Sequence, residues 1–161
     1  MTKKFNQFLG KAGHLHMMAE FLMKGWNVAI PEVDIGDDIF VVKDDEGTLR
    51  KVQVKTSRGK ATKKGYTAQF SASEFNLANI GPVVGHYVFI VRLDDDIWSK
   101  PVIIKQDVLN QMYEDGEVGS LTGKTIVFSF KYTQNGDKVI CLKKDLSAFI
   151  NDYVDFPQLV H

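Results

Sequence analysis

Residues 34–55 constrain this chain more than any other stretch. They read Asp34-Ile35-Gly36-Asp37-Asp38, then the apolar run Ile39-Phe40-Val41-Val42, a charged turn over 43–48, and Leu49-Arg50-Lys51-Val52-Gln53-Val54-Lys55. Two runs rich in β-branched residues around a polar turn predict an antiparallel hairpin. In its second strand Gln53 and Lys55 stand two residues apart and share one face of the sheet. A hairpin that sets Asp38 beside them holds a carboxylate, an amide oxygen and an ammonium together. Such a set can bind Mg²⁺ and activate a water.

Asp38 followed by three strand residues, with Gln53-Val54-Lys55 about fifteen residues on, resembles the PD-(D/E)XK nuclease superfamily, which includes restriction endonucleases and Holliday-junction resolvases. The resemblance implies a divalent metal, Mg²⁺ or Mn²⁺, held by Asp38, Gln53 and the Val54 carbonyl. It implies that Lys55 positions or deprotonates the attacking water. The Pro-Asp dipeptide of the superfamily's name is absent, and Gly36-Asp37-Asp38 stands in its place. Gln53 replaces the Glu of many members.

Around the hairpin the charge is polarised although the chain is neutral overall, with 20 Lys and Arg against 20 Asp and Glu. Residues 32–46 carry seven acids, and residues 50–64 carry seven bases and no acid. An acidic cluster beside a basic stretch suits a metal site next to a phosphate track. Thr56, Ser57, Arg58, Lys60, Lys63 and Lys64 are the candidate nucleic-acid contacts, holding phosphates without reading bases. Zero net charge argues mildly against a dedicated nucleic-acid binder. The single Cys141 forms no internal disulfide and sits in an apolar strand pattern. No apolar run is long enough for a membrane span or a signal peptide, so the expected location is cytoplasmic.

Leu15, Met18, Ala19 and Leu22 recur at helical spacing, which predicts a helix over 11–24 ended by Gly25. Residues 26–30 then read as a strand, followed by the hairpin. Tyr66 to Phe70 reads as a short extra strand. Ser71 and Glu74 form a capping-box pattern for a short helix ending near Asn79. His86 to Leu93 reads as a central strand. Asp94-Asp95-Asp96 makes a turn. Strand signals follow at 97–98 and 102–104, then a helix over 106–114. Asn135-Gly136 closes a hairpin, and Asp145 caps a final helix to about Val154. At 161 residues the length suits one domain. Residues 8–93 match the superfamily's αβββαβ core, a mixed central sheet flanked by helices. Residues 94–161 form a C-terminal α/β extension that extends the sheet, covers one side or makes a dimer contact.

In the resolvase-like branch the first helix carries a metal-site Glu about eleven residues before a Gly-aromatic pair. Counting back from Gly25-Trp26 reaches His14. A histidine there can ligate a metal, bind phosphate when protonated, relay a proton, or simply pack at the core edge. Glu20 lies roughly 160° from the apolar stripe and is expected to face solvent, paired with Lys24. His16 is expected at the surface. His86, with no visible partner, is expected to be structural, and His161 is terminal. Asp34 or Asp37 can supply a second anionic ligand. Two functions fit the whole. One is a metal-dependent endonuclease hydrolysing DNA; the resemblance also allows a homodimer that cuts two strands, although no stretch of the sequence identifies an interface. The other is a catalytically depleted protein of the same fold that binds nucleic acid or a protein partner. An unrelated α/β domain with Gln53 and Lys55 on a polar strand face also fits the alternation.

Overall fold

The architecture is that of a computed structural model that describes residues 2–33, 38–94 and 96–159. Asp34, Gly36, Asp37, Asp95 and His161 lie outside the described residues. The first helix, α1 (Lys3–Met23), is longer than the sequence stripe predicts. Thr2 caps it, its hydroxyl accepting from the Phe5 N–H at 3.3 Å. Gly25, at φ 87°, turns the chain out of the helix, a backbone conformation that side chains with a Cβ avoid.

Three strands follow: β1 (Asn27–Ala29), β2 (Ile39–Lys43) and β3 (Thr48–Arg58). They pair antiparallel in sequence order. The chain then leaves the sheet through β4 (Lys60–Thr62), β5 (Gly65–Ser73) and the short helix α2 (Glu74–Ala78). It returns as β6 (His86–Arg92), which runs parallel to β3 with Val54 opposite Val88. A parallel neighbour requires such a crossover. An antiparallel β7 (Val102–Lys105) completes the order β1-β2-β3-β6-β7. The predicted αβββαβ order with a mixed central sheet is therefore present.

A second sheet covers the face of the first that α1 leaves open. After α3 (Gln106–Glu114) come β8 (Ser120–Thr122), β9 (Thr125–Thr133), β10 (Val139–Cys141) and β11 (Lys144–Asp145). Their order with the earlier hairpin is β11-β10-β9-β5-β4, with β8 also on β9. The segment read as a short extra strand is thus the nine-residue β5, paired along its whole length with β9. The α2 cap is Ser73, the last residue of β5, which accepts from the Asn76 N–H at 3.2 Å; Ser71 lies two residues further back in the strand. The expected final helix is only one turn, Ser147–Phe149. Asn151 at φ 53° breaks the helical path.

Buried residues divide into two clusters, one on each face of the first sheet. Against α1 lie Val52, Val54, Val88 and Ile90 with Met17 and Phe21. Against the second sheet lie Tyr87, Phe89 and Val91 with Phe70, Phe128 and Phe130. Residues 86–91 are buried throughout, which is why β6 reads as a continuous apolar run. The face of α1 that meets the sheet is Gly13, Met17 and Phe21. Most of the stripe expected to be core points outward instead: Leu15 and Leu22 are both about half exposed and Ala19 is exposed, while Met18 packs at the edge of the core. A Cβ on Gly13 would overlap the Thr56 hydroxyl and stand 3.0 Å from Thr56 Cβ and Cγ2. Glycine is what lets helix and strand approach this closely.

The C-terminal segment closes the α1 side. Phe156 is buried, its ring 4.8 Å from that of Phe21 and 5.7 Å from Trp26. The Trp26 indole N–H donates to the Pro157 carbonyl at 2.9 Å, and the Leu159 N–H donates to the Lys24 carbonyl at 2.9 Å. Asp155 meets buried His86, with His86 Nε2 2.9 Å from its carboxylate. The sequence offered His86 no partner because Asp155 is 69 residues away. Among the described residues no helix is long and apolar enough to cross a membrane.

Gly13→Ala is expected to lower stability by about 1–3 kcal/mol through overpacking. Gly10→Ala, with nothing within 4 Å of the new Cβ, should raise it by up to about 1 kcal/mol. Urea unfolding reads both. Burial lowers the pKa of His86 from 6.5, against the opposing bond to Asp155. The unfolded chain therefore takes up the proton more readily, and stability falls as pH drops below about 6.5. Burial works upward on Asp155, but its bond with His86 and the charge of Lys105 outweigh that and leave its pKa below 3.8. Its contribution is present above that value and is lost under stronger acid, the same sign of slope. Melting scans should show a Tm several degrees lower at pH 5.5 than at 7.5, with a flatter slope in His86→Gln.

Candidate functional site

Asp38 stands where β2 begins. Its N–H donates to the Val52 carbonyl at 3.0 Å, yet Ile39 is the residue paired with Val52. Two residues stand against one, the arrangement of a β-bulge, which re-aims side chains. The Asp38 carboxylate accepts the Val54 N–H at 2.7 Å. The side chain thus occupies the position of the next rung of the ladder. In a strand the N–H and C=O of one residue point to the same edge, so the Val54 carbonyl faces the edge where the carboxylate sits.

Helix α1 supplies the second group. His14 follows Gly13, the point of closest approach to β3, and its Nε2 lies 3.5 Å from Asp38 Oδ2. The two side chains are 23% and 17% exposed, so the pair remains open to a ligand. Asp38, His14 and the Val54 carbonyl offer two oxygens and a nitrogen at one edge. Among the described residues no group of three or more His, Cys, Asp or Glu could hold a metal. The additional acids weighed from sequence, Asp34 and Asp37, lie outside the described residues.

Gln53 and Lys55 belong to the opposite face of β3, since Val52 and Val54 between and beside them enter the α1-side core. Gln53 lines a small polar cavity with Lys51, Asn76, Asn79 and Tyr87. The Gln106 amide closes that cavity by donating to the Asn76, Leu77 and Asn79 carbonyls at 2.8, 3.0 and 3.2 Å. Lys55 is half-buried and stands opposite Phe89 of β6. Asp38 is thereby joined to Val54 and His14, while Gln53 and Lys55 approach the same stretch of β3 from the other face.

The candidate nucleic-acid residues divide. Ser57, Arg58 and Lys60 line a shallow groove that continues over Thr67, Gln69, Ser129 and Lys131 of the second sheet. Lys63 and Lys64 are exposed in the β4–β5 turn. Thr56 is turned the other way, its hydroxyl buried and without a hydrogen-bond partner among the described residues. Lys131 and Ser129 carried no sequence signal, because only the pairing of β9 with β5 brings them to this groove. His16 is not a free surface histidine. Its ring stacks on Trp98 at 5.2 Å, and burial lowers its pKa against the raising effect of Glu20. Glu20 itself is half-buried rather than solvent-facing.

No family model matches the chain, and no curated protein matches it in sequence. Among solved structures, the bacterial homing endonuclease I-Ssp6803I matches with a TM-score of 0.56 and 17% identity, over 92% of this chain and 88% of that one. At that identity the likeness concerns the fold, a mixed α/β architecture shared with a nuclease.

Proposed function

We propose that the chain is a metal-dependent endonuclease of the PD-(D/E)XK superfamily that hydrolyses DNA phosphodiester bonds. The observation that carries this reading is the Asp38 carboxylate fixed on the Val54 N–H, beside His14, in a fold shared with an endonuclease. The donor set suits a divalent ion. Imidazole favours Mn²⁺ over Mg²⁺, which prefers carboxylates and water. When bound, such an ion supplies Lewis acidity and a water of lowered pKa.

The chain's own residues carry the remaining tasks. The bond to Val54 holds the Asp38 oxygen at the strand edge with its rotamer fixed. His14 supplies the nitrogen donor at that edge. Lys55, which the resemblance would have orient the attacking water, lies on the opposite face of β3 from this pair and takes no part in the proposed donor set. Arg58, Lys60 and Lys131 line the groove as backbone contacts that position a duplex without reading bases. A second reading, a depleted site on a nucleic-acid-binding protein, is favoured by one observation: among the described residues only one carboxylate stands at this edge.

Calorimetry with Mn²⁺ and then Mg²⁺ is expected to give tighter Mn²⁺ binding, abolished in Asp38→Ala. Cleavage of plasmid DNA should fall at least about 100-fold in the same variant. No metal binding and no cleavage by the folded wild type, with retained DNA binding, would establish the depleted reading. His14→Glu should move the preference toward Mg²⁺ by about tenfold in relative Kd. An unchanged Mn²⁺-to-Mg²⁺ ratio would remove His14 from the donor set.

A further inference from the structure

Helix α1 is apolar on two opposite faces. Gly13, Met17 and Phe21 pack on the sheet. Phe5, Phe8, Ala12, Leu15, Ala19 and Leu22 all lie exposed on the other side. Their spacings are three, four, three, four and three, the two-in-seven seam of helix-to-helix packing. A second apolar stripe, opposite the one already packed on the sheet, calls for a covering surface of its own. We propose that this outward seam is a homodimer surface on which two copies of α1 pair antiparallel.

The seam's own order selects a second copy and its direction. An antiparallel pairing about the midpoint between Gly13 and His14 sets Phe5 opposite Leu22, Phe8 opposite Ala19 and Ala12 opposite Leu15. Every layer then joins a larger side chain to a smaller one, as close packing requires. Such a surface is self-complementary under a two-fold axis. Parallel pairing would set Phe against Phe and Ala against Ala, crowding some layers and leaving gaps in others.

Area supports the same occupant. Phe5, Phe8, Leu15 and Leu22 are 43%, 66%, 53% and 52% exposed, which is about 400 Å² of apolar surface, the size of patch that marks an interaction site. The groove beside the seam, walled by Trp98 and Arg92, continues it. With the two alanines this brings each copy toward the roughly 800 Å² that a standard interface takes from one partner. A lipid surface calls for a broader apolar face than a two-in-seven seam. The proposal does not depend on the nuclease reading, since no residue of the seam belongs to the candidate site.

Sedimentation velocity of the full chain at tens of micromolar should give twice the 18.2 kDa chain mass. Leu15→Lys and Phe8→Glu, both at exposed positions, should give folded single chains whose melting, unlike that of the wild type, does not rise with protein concentration. A wild type that stays a single chain overturns the proposal, as does a dimer that persists in both variants. Capture of a single-chain wild type by anionic phospholipid vesicles would overturn it in favour of a membrane surface. Disulfide trapping reads the direction: Phe8→Cys with Ala19→Cys should crosslink and Phe8→Cys alone should not. The reverse result would overturn the antiparallel arrangement. The native Cys141 is buried and does not compete.

Discussion

The contact of Gly13 with Thr56 is the constraint on which the rest depends. It sets how close α1 lies to β3, and that distance decides whether His14 reaches Asp38. Any side chain at 13 would meet the Thr56 hydroxyl and lift the helix. Lifting it would also loosen Met17 and Phe21, which lie on the same face one and two turns along. Core packing and the candidate site are therefore governed by one residue without a side chain. Protein interiors are packed too densely to absorb such a shift locally.

The second determinant is the bulge at the start of β2. In regular pairing, alternation would point Asp38 away from Ile39, and so away from α1. With Asp38 and Ile39 both set against Val52, the carboxylate turns to the strand edge and takes the Val54 N–H. A short side chain bonded to the backbone it borders loses little freedom when a ligand arrives. This preorganisation gives a fixed anionic oxygen beside an imidazole, instead of a mobile carboxylate that would have to be ordered on binding.

Much of this was legible in the sequence, and the failures have physical causes. The hairpin, the central strand and the order of the first six core elements follow from local alternation and apolar runs. The position of His14 follows from counting back from Gly25. The α1 face was misread because Leu15 and Leu22 carry more hydrophobicity than Gly13, while the buried face is chosen by shape at Gly13. The extent of β5 was underestimated because its partner β9 lies about sixty residues away, and propensity does not register a distant partner. The same distance hid the pairing of His86 with Asp155. The bulge at Asp38 leaves no mark in composition, so spacing alone suggested that Asp38 shares a face with Gln53 and Lys55.

The two faces of α1 are coupled through its middle. The outward seam is centred between Gly13 and His14, the residues that touch the sheet and the candidate site. Packing a partner helix over Ala12 and Leu15 would restrain the turn of helix that carries His14 against Asp38. Pairing would then stiffen the site without contacting it. The Gly10 and Gly13 pair weakens that segment's intrinsic helicity, so the external support falls where the helix needs it most. A helix tuned for stability alone would place alanine at both positions. Gly13 is kept by the close approach to β3, and covering the opposite face is the physical compensation that this approach invites.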